Sequence, residues 1–412
     1  MRELFIHGMF RSGTTLLSRM LSAAPGHLFV TDPFVYFFKA YRNYHYTAAG
    51  ARDWSPSDPT SDHFLSPHHE ANQRLLGADL SEELPDELRA TMIADIRSWK
   101  SEQHSRLCER LDELDGRTFA ETYRQLIELC VDLYGDRATE VAGTKASWCD
   151  EFLPALGRAF PEMHFALIVR DLRGVVASQK GLTGRGAGQR PLLFYVRHWR
   201  KNVAFAAALT ELEPTLAGRV HRVHYEDLVR RPEQELRGLC SGSCVEFDPR
   251  MVSSERFRSE SEAGSWSSNS SFEPGSSLHA SSGDSTPRGI FTASIDRWRD
   301  VLDADELDFL HATAGRELAS LGYEVPDLLP RPLELIERSG EPAPEDLAEW
   351  IRDDRAADYL RDPAARLREL AAEELRLDVL EGTQVLSDAW SRRLFPPLGP
   401  SRARREVATP CR

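Results

Sequence analysis

The chain has 412 residues, 41% of them hydrophobic and 28% charged, with a formal net charge of −14. That size and balance suit a globular enzyme with a substantial core, and the acidic surplus argues against nonspecific nucleic-acid binding, which needs basic surface. No apolar run reaches the length of a membrane span, and the first apolar strand begins almost at Met1, where a secretory leader would stand. A cytoplasmic location with no membrane span is therefore expected.

Leu4 to Ile6 predicts a short strand, then a tight loop from Gly8 to Gly13 and a helix opened by Thr14 and Thr15. The helix carries Leu16, Leu17, Met20 and Leu21 at helical spacing. Such a strand, glycine-bounded loop and helix start form a phosphate cradle, because loop N–H groups and the positive end of the helix dipole converge on one anion. The glycine spacing is that of a Walker A loop, but Thr14 stands in the Lys position and Arg11 sits inside the loop. The loop is read as holding a nucleotide 5′-phosphate without transferring a phosphoryl group. Residues 33–117 follow as a mostly helical insertion that opens on an aromatic run, Phe34, Tyr36, Phe37, Phe38, Tyr41, Tyr44 and Tyr46. Its place after the loop helix suggests an acceptor pocket; an aromatic run also suits a core.

Helices are expected over 119–135 and 192–212, the second carrying Phe194, Trp199, Phe205 and Leu209 between basic Arg197, Arg200 and Lys201. Phe165 to Val169 is a near-continuous apolar run, the pattern of a parallel strand covered on both faces. Arg170 ends it, at the edge where open α/β sheets bind ligands, and Ser178 lies within the next helix. Val220 to His224 reads as a short strand. Residues 253–287 are dense in Ser and predict a mobile loop leading into Arg288, either a flap that orders over a cofactor or a solvated surface loop. Prolines break the chain after Pro326, and 345–393 show amphipathic stripes that either pack back on the main domain or join a second copy. The six cysteines are scattered; they read as buried or incidental thiols, with a local Cys240–Cys244 disulfide left open. The expected fold is α/β: a P-loop-like central parallel sheet flanked by helices, with the main domain at 1–330 and a helical C-terminal extension at 331–412.

The run Arg11-Ser12-Gly13-Thr14-Thr15, taken with Arg170 and Ser178, resembles the sulfotransferases that use 3′-phosphoadenosine 5′-phosphosulfate (PAPS). The resemblance covers roughly residues 1–50 and 118–325. It implies that the first loop holds the 5′-phosphosulfate and that Arg170 and Ser178 hold the 3′-phosphate. It also implies that Tyr225 lies near the adenosine, that Lys145 stands near the sulfuryl group, and that Arg288-Gly289-Ile290 is a basic loop closing over the 3′-phosphate. Arg11 replaces the Lys usual in the cytosolic phenol and steroid branch, which points to the tyrosylprotein, carbohydrate and bacterial side. Members there carry a carboxylate base after the loop helix, and the matching position is Asp32. Asp32 also suits a plain turn before Pro33. His63, His68 and His69 are the other candidates, because cytosolic relatives use a His base.

Arg11 and Lys145 would stabilise the leaving phosphate, and no metal is called for. The acceptor implied is a hydroxyl on a glycan or natural product. Two other readings remain at this stage: an ATP-dependent small-molecule kinase sharing the loop, and a non-catalytic nucleotide-binding scaffold. A homodimer through the C-terminal helices is also compatible with the stripes.

Overall fold

The computed structural model describes residues 1–31, 33–52, 54, 56, 69–100, 104–182, 189–257, 289–337, 341–343, 346–347 and 358–382. Its centre is a five-stranded sheet in the order β2-β3-β1-β4-β5. The strands are β1 (Arg2–Gly8), β2 (His27–Thr31), β3 (Val141–Ala146), β4 (His164–Val169) and β5 (Val220–His224). Every pairing is parallel. From β1 the chain passes to the far edge at β2, returns to place β3 between them, then crosses β1 to add β4 and β5 on the other side. Strand order therefore reverses at β1, the place where such sheets open a crevice at their C-terminal edge.

Period-two alternation sends the two faces of each strand into different cores. Leu4 and Ile6 of β1 join Ala166 and Ile168 of β4 beneath helix α1 (Thr14–Ser22). Phe5 joins Leu28, Val30, Phe165, Leu167 and Val169 on the opposite face. Burial on both faces is why Leu4 to Ile6 of β1 and Phe165 to Val169 of β4 are continuous apolar runs.

The insertion supplies α2 (Pro33–Ala48), α3 (His69–Leu76), α4 (Asp86–Lys100) and α5 (Ser105–Arg110), followed by α6 (Phe119–Tyr134). Its aromatic run is core rather than cleft. Phe34, Phe37, Phe38, Tyr41 and Tyr46 are buried, and Phe37, Phe38 and Tyr41 pack on Phe119. The acceptor-pocket expectation for that run is corrected: helical spacing turns most of its rings inward, leaving Tyr44 exposed.

Further helices are α7 (Leu153–Ala159), α8 (Leu172–Leu182), α9 (Leu192–Leu212), α10 (Tyr225–Arg230) and α11 (Pro232–Gly242). After them come α12 (Ala293–Asp296), α13 (Trp298–Val301), α14 (Ala304–Ser320), α15 (Asp358–Arg361) and α16 (Pro363–Leu380). No helix among the described residues is long and apolar enough to cross a membrane. Helix α16 lies on α9 and α14. Leu370 enters the main core, Glu373 pairs with buried Arg200 and with Arg197 at 3.0 Å, and Arg376 pairs with Glu317. Cys240 is a free buried thiol beside Met251 Sδ, so the Cys240–Cys244 bridge is excluded. The Ser-rich stretch lies outside the described residues from 258 to 288.

Candidate active site

The loop after β1 closes in the left-handed region twice, at Arg11 (φ 64°) and Gly13 (φ 94°). Gly13 is the N-cap of α1. It has no side chain to cap the helix, and the first turn carries no acid. The opening N–H groups of α1 are thus left for an anion, favoured there by the helix dipole. Gly13 is also obligatory sterically, since a Cβ there would lie 2.3 Å from Tyr225 Cδ2.

Two segments distant in sequence meet directly. Arg11 donates from Nε and Nη2 to Ser178 Oγ at 3.1 and 3.0 Å. Arg170 donates from Nη1 to the Arg11 carbonyl and from Nη2 to the Ser294 carbonyl, both at 2.8 Å. Its guanidinium sits 4.1 Å over the Tyr225 ring, and Tyr225 Oη lies 2.8 Å from Ser294 Oγ. Arg11, Gly13, Arg170, Ser178 and Tyr225 therefore form one contiguous cluster, with Ser12 and Thr14 buried in the same loop and Thr15 half-buried beside it. Two of its polar atoms, Ser12 Oγ and Arg170 Nε, are buried without a hydrogen-bond partner. Each such vacancy costs about 1–3 kcal/mol in a folded protein unless a ligand fills it. One layer further out, Glu226 accepts from the Asp171 N–H and from Tyr323 Oη, both at 3.0 Å, and burial raises its carboxyl above the usual range.

Lys145 is the penultimate residue of β3, buried, and in register with Ile6 of β1 and Thr31 of β2. Past the end of β3 the chain turns sharply, with Trp148 in the left-handed region at φ 66°. Trp148 meets the loop residue Phe10 edge-on at 5.8 Å. Phe10 also contacts Phe194 and Tyr195 of α9 at 6.1 and 5.9 Å, and the Arg190 guanidinium lies 5.5 Å from its ring. Ser147 Oγ and Trp148 Nε1 are buried donors with no partner, on the same edge of the sheet as Ser12 and Arg170.

Asp32, His63, His68 and Arg288 lie outside the described residues, and His69 is the first residue of α3. Gly289 adopts φ 148°, a conformation open to glycine alone, with nothing near its Cα on the side a Cβ would occupy. Sequence reading missed the aromatic wall of Phe10, Trp148 and Tyr195, and also a charged group beneath the loop. There His7 faces Asp150 at 2.8 Å, and Lys201 faces Glu151 at 2.9 Å. The available signal was a histidine directly after the apolar run Leu4 to Ile6.

The fold is that of an α/β protein whose parallel sheet carries, at its C-terminal edge, a loop and helix start suited to an anion beside arginine, serine and lysine. The sulfotransferase family profile matches residues 3–249, and the chain belongs to that family. No curated protein matches it. Among solved structures it is similar to the sulfotransferase domain from the curacin biosynthetic pathway, with 16% identity and a TM-score of 0.43, covering 78% of this chain and 98% of that one. The sulfotransferase domain of the Synechococcus PCC 7002 olefin synthase is 19% identical with a TM-score of 0.42, covering 78% and 95%. A sulfotransferase from Alicyclobacillus acidocaldarius is 14% identical with a TM-score of 0.33, covering 61% and 89%.

Proposed function

We propose that this sulfotransferase takes its sulfuryl group from PAPS and passes it to a hydroxyl of a glycan or natural product. The observation that carries the donor assignment is the Arg11–Ser178 and Arg170–Arg11 contact pair, which joins the loop that would hold the 5′-phosphosulfate to the segment that would hold the 3′-phosphate. The unpartnered Ser12 Oγ and Arg170 Nε fit a polyanionic ligand. Tyr225 is buried under Arg170, so it would act by holding that guanidinium rather than by broad contact with adenine.

In the reaction, the bond between sulfur and the 5′-phosphate oxygen breaks as the acceptor oxygen attacks in line, and the electron pair stays on the phosphate. Arg11, Lys145 and the N–H groups of Gly13 to Thr15 would meet that charge, as donors of an oxyanion hole do. The acceptor proton passes to a base, for which Asp32 is proposed. It follows Thr31, the register partner of Lys145. Phe10, Trp148 and Tyr195 beside Arg190 provide an aromatic and cationic wall suited to a ring-bearing acceptor.

The test is calorimetric titration with 3′-phosphoadenosine 5′-phosphate (PAP), against ATP with magnesium, repeated on Arg170→Ala. Micromolar PAP binding that Arg170→Ala weakens at least tenfold is expected. Preference for magnesium-ATP, or failure to bind PAP, overturns the donor assignment. Asp32→Asn is expected to abolish turnover while PAP affinity stays within about threefold; normal turnover would remove Asp32 as the base.

A further inference from the structure

The group beneath the phosphate loop carries four charges on three elements, and none of them reaches solvent. His7 is the penultimate residue of β1, one before Gly8. Its Nδ1 lies 2.9 Å from the Ala146 carbonyl, and its Nε2 lies 2.8 Å from Asp150 Oδ1. A carbonyl oxygen cannot donate, so Nδ1 carries a hydrogen; an ionised carboxylate cannot donate either, so Nε2 carries one too. Lys201 of α9 faces Asp150 at 3.4 Å and Glu151 at 2.9 Å, and Asn202 reaches Asp150 at 3.4 Å. The Cys149 thiol lies 3.4 Å from Nδ1, and Arg42 of α2 acts on Lys201 electrostatically. Among the described residues, Asp150 and Cys149 act on His7 directly, while Glu151, Lys201 and Arg42 act around them.

Their position matters more than their number. The β1–β3 ladder ends at the pair His7 and Ala146, so beyond it no backbone hydrogen bond joins the phosphate loop to the corner at residues 147–152. The His7 ring spans that gap, bonding Ala146, the neighbour of Lys145, and Asp150 on the far side of the corner. A buried charge group of this kind adds little stability over well-packed apolar side chains, and its best-attested role is to specify geometry.

We propose that His7 is a positioning residue for sulfuryl transfer: a doubly protonated imidazole that clamps the strand feeding the phosphate loop to the end of β3, next to Lys145, and to the corner that follows it. This rests on the PAPS reading above. Burial disfavours a charge on the ring, but Asp150 and Cys149 beside it hold the imidazolium well above the usual histidine range. Burial likewise raises the Asp150 carboxyl, but His7 and Lys201 outweigh it and hold it below the usual carboxylate range.

The loop N–H groups bind phosphate whatever the corner does, whereas Lys145 must meet the sulfuryl group. Loss of the clamp should therefore separate PAPS affinity from PAP affinity. In calorimetry, His7→Gln is expected to leave the PAP Kd within about threefold and to raise the ratio of PAPS Kd to PAP Kd at least fivefold. Lys145→Met should raise the ratio similarly, and the double variant should add nothing more. A ratio unchanged in His7→Gln, or additive effects in the double variant, overturns the clamp. Wild-type protein that binds no PAP overturns the donor reading instead. Should His7→Gln fail to fold, Asp150→Asn takes the same measurements. The wild-type protein gives an independent check: ¹⁵N NMR of the His7 ring at pH 8 should show both nitrogens protonated, and a neutral ring ends the proposal.

Discussion

Gly13 shows how tightly single residues are held at the site. A side chain there would meet the Tyr225 ring at 2.3 Å, and its φ of 94° disfavours any L-residue. Gly13→Ala is expected to destabilise the fold by about 2–4 kcal/mol, combining backbone strain with overpacking. The urea midpoint measures this, and an unchanged midpoint would mean that Tyr225 yields. The cluster of Arg11, Gly13, Ser178 and Arg170 was legible in the sequence because its members belong to two short runs with fixed spacing around strand ends. What no spacing could show was the state of Arg170, whose two terminal nitrogens are engaged by the carbonyls of Arg11 and Ser294. Ser294 belongs to a third element. Trp148 and Asp150 were equally hidden: their neighbours in space come from β1, the phosphate loop and α9, and a linear pattern reports only neighbours within one element.

At the scale of elements, helix α9 spans 192–212 and strand β5 spans 220–224, as expected from the sequence. The same pattern misled for α2, where aromatic side chains suggested a cleft and helical geometry turned them into the core. Edge strand β5 presents a different feature. His164 Nδ1 and His221 Nε2 lie 3.0 Å apart with stacked rings. Burial first, and then His164, bring His221 down to about 4; burial and Arg219 lower His164. A base with a depressed folded pKa contributes stability that is present above its unfolded value and lost as pH falls through the folded one. The melting temperature should therefore drop as pH falls from about 6.5 to about 4, and His221→Gln should flatten that slope. A slope unaffected by the substitution assigns the acid sensitivity elsewhere.

For the whole molecule, α16 is part of the main body rather than an appendage on its surface. Glu373→Ala would leave Arg200 buried without its carboxylate, a loss of about 3–5 kcal/mol. Leu370→Ala, in the same seam, should cost about 2–5 kcal/mol. Chemical denaturation should show both as shifts in a single transition; a separate, earlier transition would mean that the C-terminal helix melts independently.

The strand order has a further consequence, for how the chain is made. Strand β1 carries the phosphate loop, yet its neighbours are β3 and β4, and β2 pairs only with β3. A ribosome that has released the first 140 residues has produced two strands with no partner for either. The loop stays without a scaffold until the chain through Val169 has emerged. Such non-local pairing slows folding and leaves apolar strands exposed meanwhile. Synthesis up to Val169 is thus the stage most in need of chaperone shelter, and the proposed donor site is completed only after it.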